Sequence, residues 1–199
     1  MDITWHGNTC FTVKGKNVTL TLNPDKDAGK LKGELVLSSI KDPVEVEGAK
    51  KVFDWPGEYE ASDVPIVGLQ AWTKSKSKEE EEGQEGDSTL IFYFEVEGMR
   101  VCHLGELGHV LTAEMVNDIG DVDVLLIKAG SESNLSAKKA AEVVEEIDPR
   151  VLIPMGDGNF EEIIKELGIS NVEPEEKFSI KSSSELPDDR REYVILKKV

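Results

Sequence analysis

Histidine is scarce in this chain: His6, His103 and His109 are all there are among 199 residues. A site built on several imidazoles has little to draw on. Cysteine is scarcer still, with only Cys10 and Cys102, far apart. No cysteine spacing matches a zinc motif, and both sit in β-like runs, which predicts buried, unpaired thiols in a reducing compartment. Basic side chains are few beside acidic ones, 23 Lys and Arg against 40 Asp and Glu, a formal net charge of −17. That excludes a nucleic-acid surface, because phosphate binding needs a basic face, and it excludes docking on anionic lipid. No stretch approaches the ~20 apolar residues of a membrane-spanning helix. The opening MDITWHGNTC has no basic start followed by an apolar run, so it is no signal peptide. The expected location is the cytoplasm.

What is present reads as one α/β domain over 1–199. Ile3–Trp5, Cys10–Val13 and Val18–Leu22 are short β-runs separated by Gly7-Asn8 and by Lys14 to Asn17. In the third, Val18, Leu20 and Leu22 alternate with Thr19 and Thr21, the period of a half-buried strand, and the spacing predicts an antiparallel meander. Leu35-Val36-Leu37 reads as a covered strand. Val52-Phe53 leads to a turn at Pro56-Gly57, then a strand over Val64–Ala71. The segment 74–87, KSKSKEEEEGQEGD, has no apolar residue and predicts a mobile acidic surface loop. Leu90–Val96 and Met99–Cys102 form a hairpin turned at Glu97-Gly98.

The chain is organised around Met99 to Gly130. Arg100-Val101-Cys102 closes a strand, His103 to His109 (HLGELGH) is a loop with two glycines, Thr112 caps a short helix, and Val122–Ile127 is an apolar strand. Loops between strand and helix are where α/β proteins usually keep their chemistry. Beyond it, Ala140, Val143, Val144 and Ile147 repeat at helical spacing, with Ser136 as N-cap and Pro149 as stop. Val151–Ile153 is the next strand. Phe160, Ile163, Ile164 and Leu167 form a second helical stripe stopped at Gly168. Phe178–Ile180 and Tyr193–Leu196 end the chain as strands. Many strands first, then strand–helix units, predict two sheets with helices outside.

Four segments in this order, ITWHGNTCFTV, VFDWPGEYE, RVCHLGELGHVLTAEMVNDIGDVDVLLIKAG and DPRVLIPMG, resemble a metallo-β-lactamase-fold protein, similar to bacterial lactonase-like zinc-dependent hydrolases. The resemblance implies a four-layer αβ/βα sandwich with the active site at one edge between the sheets. It also implies a ligand set for zinc or another divalent ion. That set is a His-x-His-x-Asp-His loop after the strand at Leu35–Ser38, a histidine after the strand ending near Trp72, an Asp in the HLGELGH loop, and a histidine after Ile-Pro-Met. Such a metal lowers the pKa of its bound water to about 7 and makes hydroxide the nucleophile.

Position by position, the chain departs from that pattern. The four places of the first loop fall on Ile40, Asp42, Val44 and Glu45, with Lys41 beside them. The next falls on or near Thr73, the carboxylate on Glu106 and the last histidine on Gly156, followed by Asp157. Asn8 stands where relatives place a histidine. The expectation is a vestigial cleft lined by Asp42, Glu45, Thr73, His103, Glu106, His109, Gly156 and Asp157, with no catalytic or metal-ligating residue and no cofactor. The alternative is a divalent ion (zinc, magnesium or manganese) at a rearranged, carboxylate-rich site of Asp42, Glu45 and Glu106, hydrolysing lactones or phosphoesters. A triad of His103, Glu106 and His109 is weighed against backbone hydrogen bonding of both imidazoles. A Cys102–His103 nucleophilic pair fails because strand neighbours point to opposite faces. The functional expectation is a binding or structural pseudoenzyme, with no nucleic-acid or membrane partner, and with a homo-oligomer or an active paralogue as the partner left open. No small-molecule ligand is identified.

Overall fold

Alternation and tight turns build the first sheet. Strands β1 (Asp2–Gly7), β2 (Cys10–Lys14) and β3 (Thr19–Leu22) pair antiparallel as a meander. Along β1, Ile3, Trp5 and Gly7 are buried while Asp2, Thr4 and His6 are partly exposed. The β1–β2 turn places Asn8 at φ 46°, a left-handed value that asparagine tolerates. The computed structural model describes residues 1–74, 86–129, 135–158, 160–170 and 172–199. Residues 75–85 of the expected acidic loop, and Gly130, lie outside the described residues.

β4 (Leu35–Leu37) and β5 (Lys51–Phe53) extend this sheet in parallel, and β12 (Phe178–Ser179) pairs antiparallel with β1 at its other edge. Parallel neighbours require crossovers. The segments 23–34 and 38–50 make them without a helix. The second carries Pro43 and Gly48, the latter at φ 85°, which together disfavour a helix. These loops cover the sheet's outer face with a small cluster of Cys10, Leu31, Val36 and Val46. Leu35 and Leu37 point the other way, into the main core.

The second sheet has the order β13 (Glu192–Tyr193), β11 (Val151–Met155), β10 (Val124–Lys128), β9 (Met99–His103), β8 (Ser88–Val96), β7 (Val64–Trp72), β6 (Gly57–Ala61). β6 to β9 are antiparallel; β9, β10, β11 and β13 are parallel. Here helices make the crossovers: α1 (Ala113–Ile119) joins β9 to β10, and α2 (Ala137–Ile147) joins β10 to β11. Thr112 caps α1 by accepting the Met115 N–H at 3.2 Å, and Ser136 caps α2 through the Lys139 N–H at 3.4 Å. The α2 stripe of Ala140, Val143, Val144 and Ile147 is buried. α3 (Glu161–Glu166) packs beside α2.

One continuous core joins the two sheets, with Phe11, Phe92, Phe94, Leu20, Leu22 and Leu35 among its fully buried side chains. Each such side chain contributes roughly 1.5–3 kcal/mol of burial. The result is the α/β sandwich that the resemblance implies. Because β9, β10 and β11 are parallel, their C-terminal ends share one end of the sandwich. The β1–β2 turn reaches the same end, where the Gly156 N–H donates to the Asn8 carbonyl at 3.1 Å.

Candidate functional site

At that end the floor is polar and fully bonded. Asn23, buried and at φ 46°, donates its amide N–H groups to Thr9 Oγ1 (3.1 Å) and Ser39 Oγ (2.8 Å) and accepts the Ser39 N–H at 2.7 Å. It thereby ties the starts of both first-sheet crossovers to the β1–β2 turn. Opposite, the 104–108 loop presses on β8. Gly105, at φ 57°, is required there, since a Cβ would sit 2.5 Å from the Leu90 carbonyl oxygen. This close approach brings the Glu106 N–H to 3.4 Å from Thr89 Oγ1.

Glu106 is met by a residue the sequence reading did not single out. Lys128 ends β10, and its ammonium donates to Glu106 Oε1 at 2.8 Å, to Glu106 Oε2 at 2.9 Å and to Asn8 Oδ1 at 2.8 Å. The two side chains are only 12% and 19% exposed. The pair therefore spans from the second sheet to the β1–β2 turn of the first. The available signal was a lone lysine closing the apolar run Val124–Ile127. Lys41, expected beside the site, instead lies on the exposed surface and pairs with Asp87 at 3.4 Å.

Both loop histidines are committed to the backbone. Buried His103 donates from Nε2 to the Thr9 carbonyl at 2.9 Å, and its Nδ1 accepts the Gly105 N–H at 3.2 Å. These partners fix the neutral Nε2–H tautomer. Burial pulls its pKa from 6.5 to about 4, against the opposing pull of the Thr9 carbonyl and the Glu106 charge. His109 Nε2 accepts the Trp72 N–H at 3.3 Å, and its Nδ1 donates to the Val110 carbonyl at 2.7 Å. His103 and Glu106 are neighbours; His109 belongs to a separate contact with the end of β7. Neither cysteine adds a thiolate: burial pushes the Cys10 thiol up to about 12 and raises that of Cys102.

The other candidates spread out. Asp42, Glu45 and Asp157 are exposed. Thr73 Oγ1 accepts the Asp87 N–H at 3.0 Å. Gly156 holds φ 142°, a backbone that suits glycine and strains a histidine.

A family model described as a beta-lactamase superfamily domain matches residues 2–156. The chain belongs to this superfamily. Within it, the chain is 29% identical over 180 residues to a UPF0173 protein of Pyrococcus abyssi, covering 80% of this chain and 85% of that one. To a Methanopyrus kandleri protein named a UPF0173 metal-dependent hydrolase it is 25% identical over 196 residues, covering 80% and 85%. A Thermotoga maritima structure of the metallo-β-lactamase superfamily matches with a TM-score of 0.80 at 27% identity, covering 98% of this chain and 97% of that one.

A metal of the kind that hydrolase name implies finds no fitting donor set among the described residues. Among the described residues, no group of three or more His, Cys, Asp or Glu side chains gathers where it could hold an ion. Asp42, Glu45 and Glu106 therefore do not converge as a ligand set, nor do His103, Glu106 and His109. Glu106, at the place of the family's carboxylate, already binds an ammonium with both oxygens. A divalent ion there would sit beside Lys128 and face like-charge repulsion.

Proposed function

We propose that this superfamily member is a non-hydrolytic relative whose cleft takes no divalent ion and whose scaffold serves binding or structure. The observation that carries this reading is the commitment of Glu106 to Lys128. The committed ring nitrogens of His103 and His109 support it further. Among the described residues no imidazole and carboxylate donors gather into a set that would lower the pKa of a bound water. The cleft's own residues bind one another: His103 holds the β1–β2 turn, and Asn23 and Ser39 hold the crossovers.

A second reading is favoured by the relatives' names: hydrolysis of lactones or phosphoesters with a divalent metal held by the carboxylates that remain. The dispersion of Asp42, Glu45 and Glu106 weighs against it. Assays on lactone and phosphodiester panels, with and without zinc, manganese or chelator, separate the two. No activity under any condition is the expected outcome. Turnover abolished by chelator and by Glu106→Ala would establish the second reading.

The proposal extends to setting and partners. A cytoplasmic location without nucleic-acid or membrane contact is supported by the charge of −17. Among the described residues, no helix is long and apolar enough to cross a membrane. A second copy or a paralogue as partner is supported by Trp55, 73% exposed on the turn between the edge strands β5 and β6. Light scattering and co-purification test that partner, and a strictly monomeric, unaccompanied protein would exclude it.

A further inference from the structure

Lys128 does more than block the cleft. Its ammonium receives three oxygens at 2.8–2.9 Å, two from Glu106 in the loop after β9 and one from Asn8 in the β1–β2 turn. Its stem lies against Gly156, where an added Cβ would be 3.5 Å from the Lys128 Cγ. Gly156 in turn donates its N–H to the Asn8 carbonyl at 3.1 Å. So one charge, carried on the end of β10, joins two chain segments from different sheets at the superfamily's expected metal end. The Lys128–Glu106 pair is mostly withdrawn from water, its side chains 12% and 19% exposed, while the Asn8 side of the cradle faces solvent. Ordered, charge-assisted bonds of this kind are worth most where water is excluded.

We propose that Lys128 is a tethered cation: a lysine ammonium in an Asn8–Glu106 oxygen cradle takes over the charge-balancing and loop-joining part of a bound metal ion. The inference rests on the reading of a metal-free cleft and adds what fills it. The cradle suits a primary ammonium, since among the described residues it offers N–H donors the oxygens of two side chains, Glu106 and Asn8. A divalent ion would need Glu106 free of the ammonium, and among the described residues no further acidic or imidazole side chains gather to hold it.

Two features follow. Removing the tether while leaving the cradle creates a small cation site open to a free alkylammonium. Removing both charges together abolishes the need for one.

Chemical rescue tests this on the full chain. Lys128→Ala is expected to lower the folding equilibrium constant roughly 30-fold, as expected when a mostly buried carboxylate loses its partner. Methylammonium chloride should then raise the unfolding midpoint of Lys128→Ala saturably. Tetramethylammonium chloride at the same ionic strength should not, because it has no N–H to donate. The wild-type protein should respond to neither. If Lys128→Ala fails to fold, Lys128→Met combined with Glu106→Gln is the second variant, and it should fold more stably than Lys128→Met alone. Equal response of Lys128→Ala to the two ammonium salts, or a double variant weaker than the single, overturns the proposal. Failure of the metal-free reading registers separately, as metal-dependent turnover or metal binding by the wild-type protein.

Discussion

Strand β10 carries an acid before its first residue and a base at its last, and the two ends are neutralised differently. Asp123, 2% exposed, accepts from the Arg100 backbone N–H (2.8 Å), from Arg100 Nε (3.2 Å) and from Arg100 Nη2 (3.3 Å), with Arg150 Nη1 at 3.6 Å. Burial would raise its pKa, but the Arg100 hydrogen bonds and the two guanidinium charges outweigh it and hold it below the usual 3.8. Arg150 also ties the C-terminal segment by donating to the Pro187 carbonyl at 2.9 Å and the Leu186 carbonyl at 2.8 Å. This end is a structural clamp, a buried carboxylate surrounded by forked donors. The Lys128 end reverses the signs: a mostly buried ammonium bonded to oxygens, one of them on the exposed Asn8. One strand thus shows how a burial cost is met at a purely structural end and at the end where the family resemblance places the site.

Breaking the clamp should have the larger effect. Asp123→Ala leaves Arg100 and Arg150 without their shared acceptor and should cost about 4 kcal/mol in a denaturant titration. A loss below about 1 kcal/mol would mean that the clamp is no more than a surface pair.

The next effect belongs to the cleft and is read by pH. His103 has a folded pKa near 4 against 6.5 unfolded. The unfolded chain therefore binds the extra proton between these values. Stability from neutral His103 is complete above pH 6.5 and is lost as pH falls towards 4, by up to about 3 kcal/mol. His103→Gln should flatten that limb of the stability–pH profile, whereas Asp123→Asn should alter only the part near and below 3.8. An unchanged limb in His103→Gln would place the titration elsewhere.

Lys128→Met should cost about 2 kcal/mol, less than Asp123→Ala because the remaining Glu106 can draw in water. A cost as large as that of Asp123→Ala would erase the distinction between the ends. Smallest is Thr112→Ala, at about 1 kcal/mol, from loss of the α1 cap between the two. Hydrogen exchange should show the loosening confined to α1.

The difference between the ends also explains what could be read from residues alone. The caps Thr112 and Ser136, the meander of β1 to β3 and the α2 stripe were legible because each is fixed by neighbours a few residues away. The mismatch expected at Ile40, Val44, Thr73 and Gly156 came from setting the chain against a family pattern and not from neighbouring residues. Lys128 was not, since its partners lie 22 and 120 positions away, and a lysine after Ile127 reads locally as a strand emerging into solvent. Lys41 drew notice by adjacency to the missing ligands, yet its partner is the exposed Asp87. The clamp around Asp123 was hidden for the same reason, with Arg100 and Arg150 brought to it only by the register of β9, β10 and β11.

The proposed source of positive charge in this cleft is a lysine and no divalent ion. It is tested most directly by elemental analysis of the wild-type protein, purified from cells supplied with zinc and manganese and then dialysed. Substoichiometric metal is expected, with an unfolding midpoint that chelator leaves unchanged. A stoichiometric ion that survives dialysis, and whose removal lowers the midpoint, would contradict it.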